Sequence, residues 1–294
     1  MATMRDIQKR INATQKTSQI TKAMHMVSAA KLRRAERSIN AFRPLTDKFA
    51  AVLSRVLSGE SDLSHPMFEA REIKKTVYVL VSSDRGLAGS FNSRVFKAFD
   101  AHVKEQHGSS DDFEIVALGF KAYHHAKRRG YTLLHDEVIQ MRDEVQFVDF
   151  QNIADRFITR YLSGLCDKVV VFYNHFINTL NQEVKHRTLV PLEQDPFLDA
   201  DIDKDEPYNR IYHYEPNARK VLYQLLPMYV VHVLYGMILE SKACEHASRM
   251  TAMQNATDNA EELIEDLTLE YNRARQDAIT LELTDIIGGS EAVK

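Results

Sequence analysis

The two ends of the chain lack helix breakers. From Met1 to Ser58 there is no glycine and one proline, Pro44, and the first glycine, Gly59, opens the polar run Gly-Glu-Ser-Asp. From Met237 to Ile287 there is neither glycine nor proline, and Gly288-Gly289 then supply a C-terminal stop signal. Each stretch predicts one long helix. At 1.5 Å per residue the first would run roughly 80 Å, with a possible kink where Pro44 removes a hydrogen bond. Such lengths exceed what a globular core requires and point to a coiled coil.

A heptad frame tests this. With a at Met4, Ile11, Ser18, His25, Leu32, Ile39, Thr46 and Leu53, and d at Ile7, Thr14, Thr21, Ser28, Ala35, Phe42, Phe49 and Val56, ten of the sixteen positions are apolar. The exceptions cluster between Thr14 and Ser28, where the apolar stripe moves to Ile20, Met24 and Val27, as expected if the supercoil shifts phase or if this stretch faces a different partner. The C-terminal frame is cleaner: Met250, Thr257, Ile264, Tyr271 and Ala278 form one row and Met253, Ala260, Leu267, Ala274 and Leu281 the other. Its small residues favour close backbone approach.

Charge suggests which helices pair. Nine Lys/Arg face only Asp6 and Glu36 between Arg5 and Arg37, whereas Glu240 to Asp285 carries eleven Asp/Glu against Lys242, Arg249, Arg273 and Arg275. Opposite excesses favour an intramolecular antiparallel coiled coil. The alternative, a basic arm on nucleic acid, would compete with that acidic helix.

Between the ends the periodicity changes. Strands are predicted at Thr76–Ser82, Phe113–Leu118, Tyr131–Leu134, Lys168–Tyr173 and Glu183–Leu192, with helices at Phe91–Gln106, Lys121–Arg129 and Phe150–Leu165. This alternation reads as a Rossmann-like α/β domain with a mainly parallel sheet. The expected division is 1–58 for the N-terminal coiled-coil helix, 74–193 for the α/β domain, 194–216 for an acidic, proline-punctuated linker and 217–288 for the C-terminal coiled-coil helix. The apolar window Leu222–Leu239 approaches the length of a membrane span, but Gln224, Pro227, His232 and Gly236 interrupt it and favour a buried helix.

Several chemistries find little support. A net charge of -3 does not suit a protein that coats nucleic acid, and two isolated cysteines, Cys166 and Cys244, make neither a disulfide framework nor a thiolate site. The twelve histidines show no H-E-x-x-H or H-x-H pattern and are expected at the surface. The loop from Ser83 to Asn92 follows a strand and opens a helix, where a doubly wound sheet would cradle phosphate. It matches neither phosphate-loop spacing and has no lysine, so Gly86 and Gly89 are read as serving tight turning and close packing, with a nucleotide site as the alternative.

Three separated motifs resemble the gamma subunit of F-type ATP synthase: Gln15 to Arg34 (QKTSQITKAMHMVSAAKLRR), Ser83 to Asn92 (SDRGLAGSFN), and Glu245 to Ala260 (EHASRMTAMQNATDNA) followed by Tyr271 to Gln276 and Ile279 to Gly289. The likeness spans essentially the whole chain. Ser290, Ala88, Ser90 and Cys244 depart from the residues usual in that family, and the paired cysteines of its light-regulated chloroplast form are not seen between Glu193 and Pro216.

The resemblance implies a non-catalytic rotor subunit that couples ion flow through the membrane sector to ATP synthesis or hydrolysis, present once per complex and holding no cofactor or metal. Its implied partners are the alpha and beta subunits of the catalytic head, the epsilon subunit and the membrane rotor (c) ring, with no nucleic acid. Arg249, Gln276, Thr280, Lys22 and Met24 resemble the family positions that touch beta-subunit loops, with ordinary solvated or seam positions as the alternative; Asp84, Arg85, Gly86, Gly89 and Asn92 belong to the motif loop. The first residues resemble neither a secretory signal nor a transit peptide, which suggests the cytoplasmic face of a bacterial inner membrane, although a trimmed chain would look the same.

Overall fold

The computed structural model describes residues 3–59, 65–69, 71–192 and 213–292. It forms two compact units, Ala30–Ser248 and the pair of segments Met1–Ala29 with Arg249–Lys294. Helices α1 (Met4–Gly59) and α5 (Ala218–Ala292) contribute to both.

The Ala30–Ser248 unit is built on a four-stranded sheet of β1 (Thr76–Val81), β2 (Phe113–Leu118), β3 (Lys168–Phe176) and β4 (Gln182–Val190), in the order β2-β1-β3-β4. β1 pairs in parallel with β2 and β3. Every residue of β1 and β2 is buried, as continuous apolar runs predict for strands covered on both faces. One face carries Tyr78, Leu80 and Phe172 and packs against Val95, Phe99 and Val103 of α2 (Phe91–Gln106) and Ala122 and Ala126 of α3 (Phe120–Arg129). The other carries Val77, Val79 and Val171 and packs against Phe157 and Tyr161 of α4 (Phe147–Leu162), Leu53 and Val56 of α1, and Leu222, Tyr229 and Leu234 of α5. The window Leu222–Leu239 is therefore apolar because it is a core helix.

β4 runs antiparallel to β3 because the residues between them are too few for a crossover. In that turn the Asn178 side-chain oxygen accepts hydrogen bonds from the amides of Leu180 and Asn181. Tyr131–Leu134, expected as a strand, makes one isolated bridge, Leu133 with Ile115. α4 stops at Leu162, earlier than expected, because Gly164 takes a positive φ of 71°. The linker expected at 194–216 lies outside the described residues up to 212.

α1 continues through Pro44 and α5 through Pro227, so each loses one ladder hydrogen bond without ending. The expected stop at Gly288-Gly289 does not operate, since α5 runs to Ala292; glycine weakens a helix by about 1 kcal/mol relative to alanine but does not forbid it. Four histidines, His65, His125, His232 and His246, are buried and not at the surface as expected.

The unit of Met1–Ala29 and Arg249–Lys294 is an antiparallel helix pair. Ile7 and Ile11 of α1 cluster with Ile264, Leu267, Tyr271 and Ala274 of α5, and further along α1 the Thr21 hydroxyl meets that of Thr257 at 2.7 Å. The pairing therefore advances on one helix while it retreats on the other. The expected phase shift does not occur: Ile20 and Val27 are 60% and 53% exposed, while Ser18, Thr21 and Ser28 are buried in the unbroken heptad frame. The hydroxyls are tolerated because they bond within their own helices, Thr21 to the Ser18 carbonyl, Ser28 to that of Met24 and Thr257 to that of Met253.

Candidate functional site

The motif loop joins β1 to α2 in the Ala30–Ser248 unit. Its polar groups are spent on the fold. The Ser83 amide donates to Asn92 Oδ1 at 3.0 Å, Asn92 Nδ2 donates to Ser83 Oγ at 2.8 Å, and Ser83 Oγ donates to the Arg85 carbonyl at 2.7 Å. These bonds tie the two ends of the loop together. Leu87 adopts a φ of 60° and Gly89 one of 54°, the left-handed turn that the loop needs. Gly86 does not serve as expected: a Cβ there would meet nothing within 4 Å and its φ is not positive. Arg85 and Leu87 are exposed at the tip, Leu87 by 66%.

The same segment caps α3. A helix start leaves four amides without intrahelical partners. Here the Gly119 amide donates to the Ile139 carbonyl, Phe120 to Asp84 Oδ1, Lys121 to the Ser83 carbonyl and Ala122 to Ser82 Oγ. The Asp84 carboxylate occupies the place where a bound anion would lie, so this helix start offers no phosphate cradle. Gly119, with φ of 94°, is required there because a Cβ would lie 2.4 Å from the Ser82 carbonyl oxygen. Ser82 and Gly119 escaped sequence reading; a glycine between a strand and a helix was the available signal.

The five expected contact positions all lie in the helix-pair unit. Lys22 is exposed and Met24 half-buried, both within a turn of the Thr21–Thr257 contact. Arg249 is half-buried and engaged by a neighbour. Gln276 and Thr280 are exposed on one face of α5, with the Thr280 hydroxyl donating to the Gln276 carbonyl at 2.9 Å. Ile279, Leu281, Leu283, Ile286 and Ile287 are likewise exposed, an apolar surface at the C-terminal end of α5.

Three buried charge clusters were not anticipated. Lys242 and Glu245 pair at 2.8 Å, and Lys242 Nζ also donates to the Met141 carbonyl. Asp100 accepts from Arg129 and from the Tyr131 hydroxyl and bonds His125 Nε2 at 2.9 Å. Glu114 pairs with Lys75 and Arg160. Each carboxylate is held by at least one charged donor, which suits a structural tie better than a proton acceptor. The basic residues Lys31 and Arg34 of α1 pair with Asp143 and Glu144, so those charges serve the Ala30–Ser248 unit and not a helix-to-helix seam. Burial pushes the Cys166 thiol up to about 11, with Asp167 and Glu114 adding to it against Arg160 and Arg71, so this cysteine is a poor nucleophile. Among the described residues no group of three or more His, Cys, Asp or Glu could hold a metal ion.

An α/β sheet bracketed by one long helix at each terminus, with an antiparallel pairing of their far segments, defines the class of this protein. The chain belongs to the ATP synthase family, and within it to the gamma family of the F-type enzymes: the family model described as ATP synthase matches residues 3–293. Among solved structures it is similar to a central stalk/c-ring chain of Tetrahymena thermophila mitochondrial ATP synthase, at 28% identity over 81% of this chain and 99% of that one, with a TM-score of 0.62. Two chains from Euglena gracilis mitochondrial ATP synthase share the fold, one at 18% identity over 99% of this chain and 94% of that one with a TM-score of 0.64, the other at 16% over 94% and 98% with a TM-score of 0.58.

Proposed function

We infer that this chain is the central-stalk rotor subunit of an F-type ATP synthase, mechanically coupling ion flow through the membrane sector to ATP synthesis or hydrolysis. The carrying observation is the antiparallel pairing of Met1–Ala29 with Arg249–Lys294, in a chain that matches the family from residue 3 to residue 293. A single asymmetric helix pair inside a ring of repeated catalytic sites presents a different face to each, so turning it biases their conformations in sequence. Catalysis then belongs to the ring and not to this chain, in keeping with the ion-paired carboxylates above.

The central stalk meets both the catalytic head and the rotor ring, and it is peripheral to the membrane sector. The proposed partners in detail are the alpha and beta subunits, the epsilon subunit and the c ring, with Lys22, Met24, Arg249, Gln276 and Thr280 on the beta-subunit loops. The exposed positions of Lys22, Gln276 and Thr280 support that assignment. Asp84, Arg85, Gly89 and Asn92 then act by holding one loop in shape, and Gly86 supplies neither a positive φ nor a close approach to it. The three solved structures named above are mitochondrial; the cytoplasmic face of a bacterial inner membrane is the location we propose for this chain. Assembly decides the reading: the tagged chain should co-purify with head and ring subunits, and a probe fixed to it should rotate on ATP addition. Recovery of the chain with nucleic acid alone, or a head that turns over ATP while the probe stays still, would overturn it.

A further inference from the structure

A helix that passes through a protein core ordinarily carries apolar side chains there, as α5 does up to Leu239. The part that follows breaks this pattern. Seven consecutive residues, Ser241 to Ala247, are each at most 4% exposed, yet Ser241, Lys242, Glu245 and His246 among them are polar. Successive residues turn by about 100°, so a run of this length is enclosed around the whole circumference of the helix.

The enclosing bonds come from two sides of the Ala30–Ser248 unit. Ser241, Cys244 and Ser248 follow at spacings of three and four and share one face of α5. The Asn174 amide of β3 donates to Ser241 Oγ at 3.2 Å, Cys244 Sγ donates to the Asn174 carbonyl at 3.5 Å, and Ser248 Oγ donates to Gln182 Oε1 of β4 at 2.8 Å. On another face, Tyr235 and Lys242, two turns apart, donate to the Val145 and Met141 carbonyls at 2.8 and 2.9 Å, so the irregular segment 141–145 lies along α5 as a strap. The strap's own side chains reach α1, where Asp143 pairs with Lys31 at 2.7 Å and Glu144 with Arg34 at 3.8 Å.

Apolar packing would hold a helix here at least as firmly. A buried pair such as Lys242 and Glu245 gives up hydration that its attraction barely returns, and hydrophobic side chains of similar size are often as stable. Directional bonds add something methyl groups do not, a fixed azimuth. A leucine rotated about the helix axis still meets apolar neighbours, whereas rotated Lys242 loses the Met141 carbonyl and rotated Ser241 loses the Asn174 amide. We propose that this polar collar fixes the rotational register of α5 in the sheet unit, with Ser241, Lys242 and Ser248 as positioning residues that let torque pass along the helix without slip. The inference rests on the rotor reading, and α5 runs on past Ser248 without a break.

The assembled complex tests it, with the head locked by a non-hydrolysable nucleotide and a bead attached through Arg128→Cys on the exposed side of α3. Angular fluctuation of the bead reads the grip. The variant Ser241→Ala/Lys242→Met/Glu245→Met removes both charges together, so it should widen the angular variance about twofold or more while the melting of the full chain stays where it is. If that variant fails to fold, Ser248→Ala decides, at a half-buried position, with a smaller widening. Phe157→Ala, which loosens the core away from the collar, should lower melting and leave the variance narrow. A variance unmoved by the folded collar variant, or widened as much by Phe157→Ala, would overturn the proposal and leave the rotor reading intact. A wild-type complex whose bead never turns on ATP would defeat the rotor reading, and the collar's role with it.

Discussion

Helices α1 and α5 meet in two chemically different ways. Within Ala30–Ser248 they are core helices, burying Leu53, Val56, Leu222, Tyr229 and Leu234 against the sheet, with Phe42, Phe49, His232 and Tyr235 packed ring to ring. Within the helix-pair unit the contact is a narrow seam of Ile7, Ile11, Thr21, Thr257 and Leu267, with hydroxyls at positions that a globular core would fill with leucine. The first region derives its stability from area removed from water. The second buries little and leaves Ile20, Val27 and Leu281 exposed. Two helices that hold each other by a thin seam keep most of their circumference for other contacts, which is what a part working inside a ring requires.

The contrast can be broken first at its strong end. Phe157→Ala, at a fully buried position on α4, should cost about 3–5 kcal/mol and shift the denaturant midpoint of the Ala30–Ser248 unit. A loss below about 1 kcal/mol would show that the sheet unit is not the stability centre. Ala260→Pro, in the other unit, should cost about 3 kcal/mol or more locally by removing a ladder hydrogen bond. Its main effect should be uncoupling: ATP synthesis by the assembled complex falls while the sheet unit still melts as before. Unaltered synthesis would contradict a mechanical role for this helix pair. Gly119→Ala comes next, at about 1–3 kcal/mol, because a positive φ and a close carbonyl both oppose it. Amides of residues 82–92 should lose hydrogen-exchange protection before those of the helix pair.

The same contrast separates what could be read from sequence from what could not. The nearly continuous apolar run at β2 and the amphipathic run at α2 were legible to the residue, because a strand covered on both faces and a helix covered on one each leave their own pattern. The long helices were legible from what they lack. Between Thr14 and Ser28 the phase-shift reading of the seam failed, since hydropathy scores a serine as outward although its hydroxyl is satisfied by the preceding turn. Gly119 was invisible because its need is a carbonyl brought close by tertiary packing. Charge complementarity was read from composition, yet Lys31 and Arg34 found partners in Asp143 and Glu144, near in space and far in sequence. The contact positions Arg249, Gln276 and Thr280 were reached by resemblance alone, because an exposed polar residue on a helix carries no periodic signal.

The seam itself is tested more gently. Thr257→Val keeps the shape and removes one hydroxyl, leaving Thr21 still bonded to the Ser18 carbonyl, so the cost should be about 1 kcal/mol or less. Thr21→Val/Thr257→Val removes both partners and should be near neutral or stabilising, so a double-mutant cycle should show a non-zero coupling between the two positions. Additive losses would mean that the two hydroxyls do not act on each other and that the seam is held by its aliphatic residues alone.

The smallest expected difference is one of acid sensitivity. In the Ala30–Ser248 unit the Met67 amide donates to His65 Nδ1 and the Ala117 amide donates to His135 Nε2, bonds that exist only while those nitrogens carry no proton. Burial lowers both pKa values from 6.5; Glu69 pulls against it at His65, and at His135 the Glu137 carbonyl, Asp136 and Glu137 oppose it while Arg156 assists. Burial lowers His102 and His107 as well, with Lys168 adding to both. For such groups the unfolded chain binds more protons than the folded one. Their contribution is fully present above 6.5 and is lost as the pH falls below it through the lowered folded values. The helix-pair unit contains one histidine, His25. Hydrogen exchange at pH 7.5 and pH 5.5, corrected for intrinsic rates, should therefore show sheet amides losing protection on acidification more than those of residues 250–275. His65→Asn should reduce that slope, and a slope unchanged by both His65→Asn and His135→Gln would assign the acid sensitivity to His102 and His107, not to carboxylates such as Asp143. There burial tends to raise the pKa, but the hydrogen bond and charge of Lys31 prevail and lower it, so the loss would fall below the ordinary carboxylate range and outside this pH window.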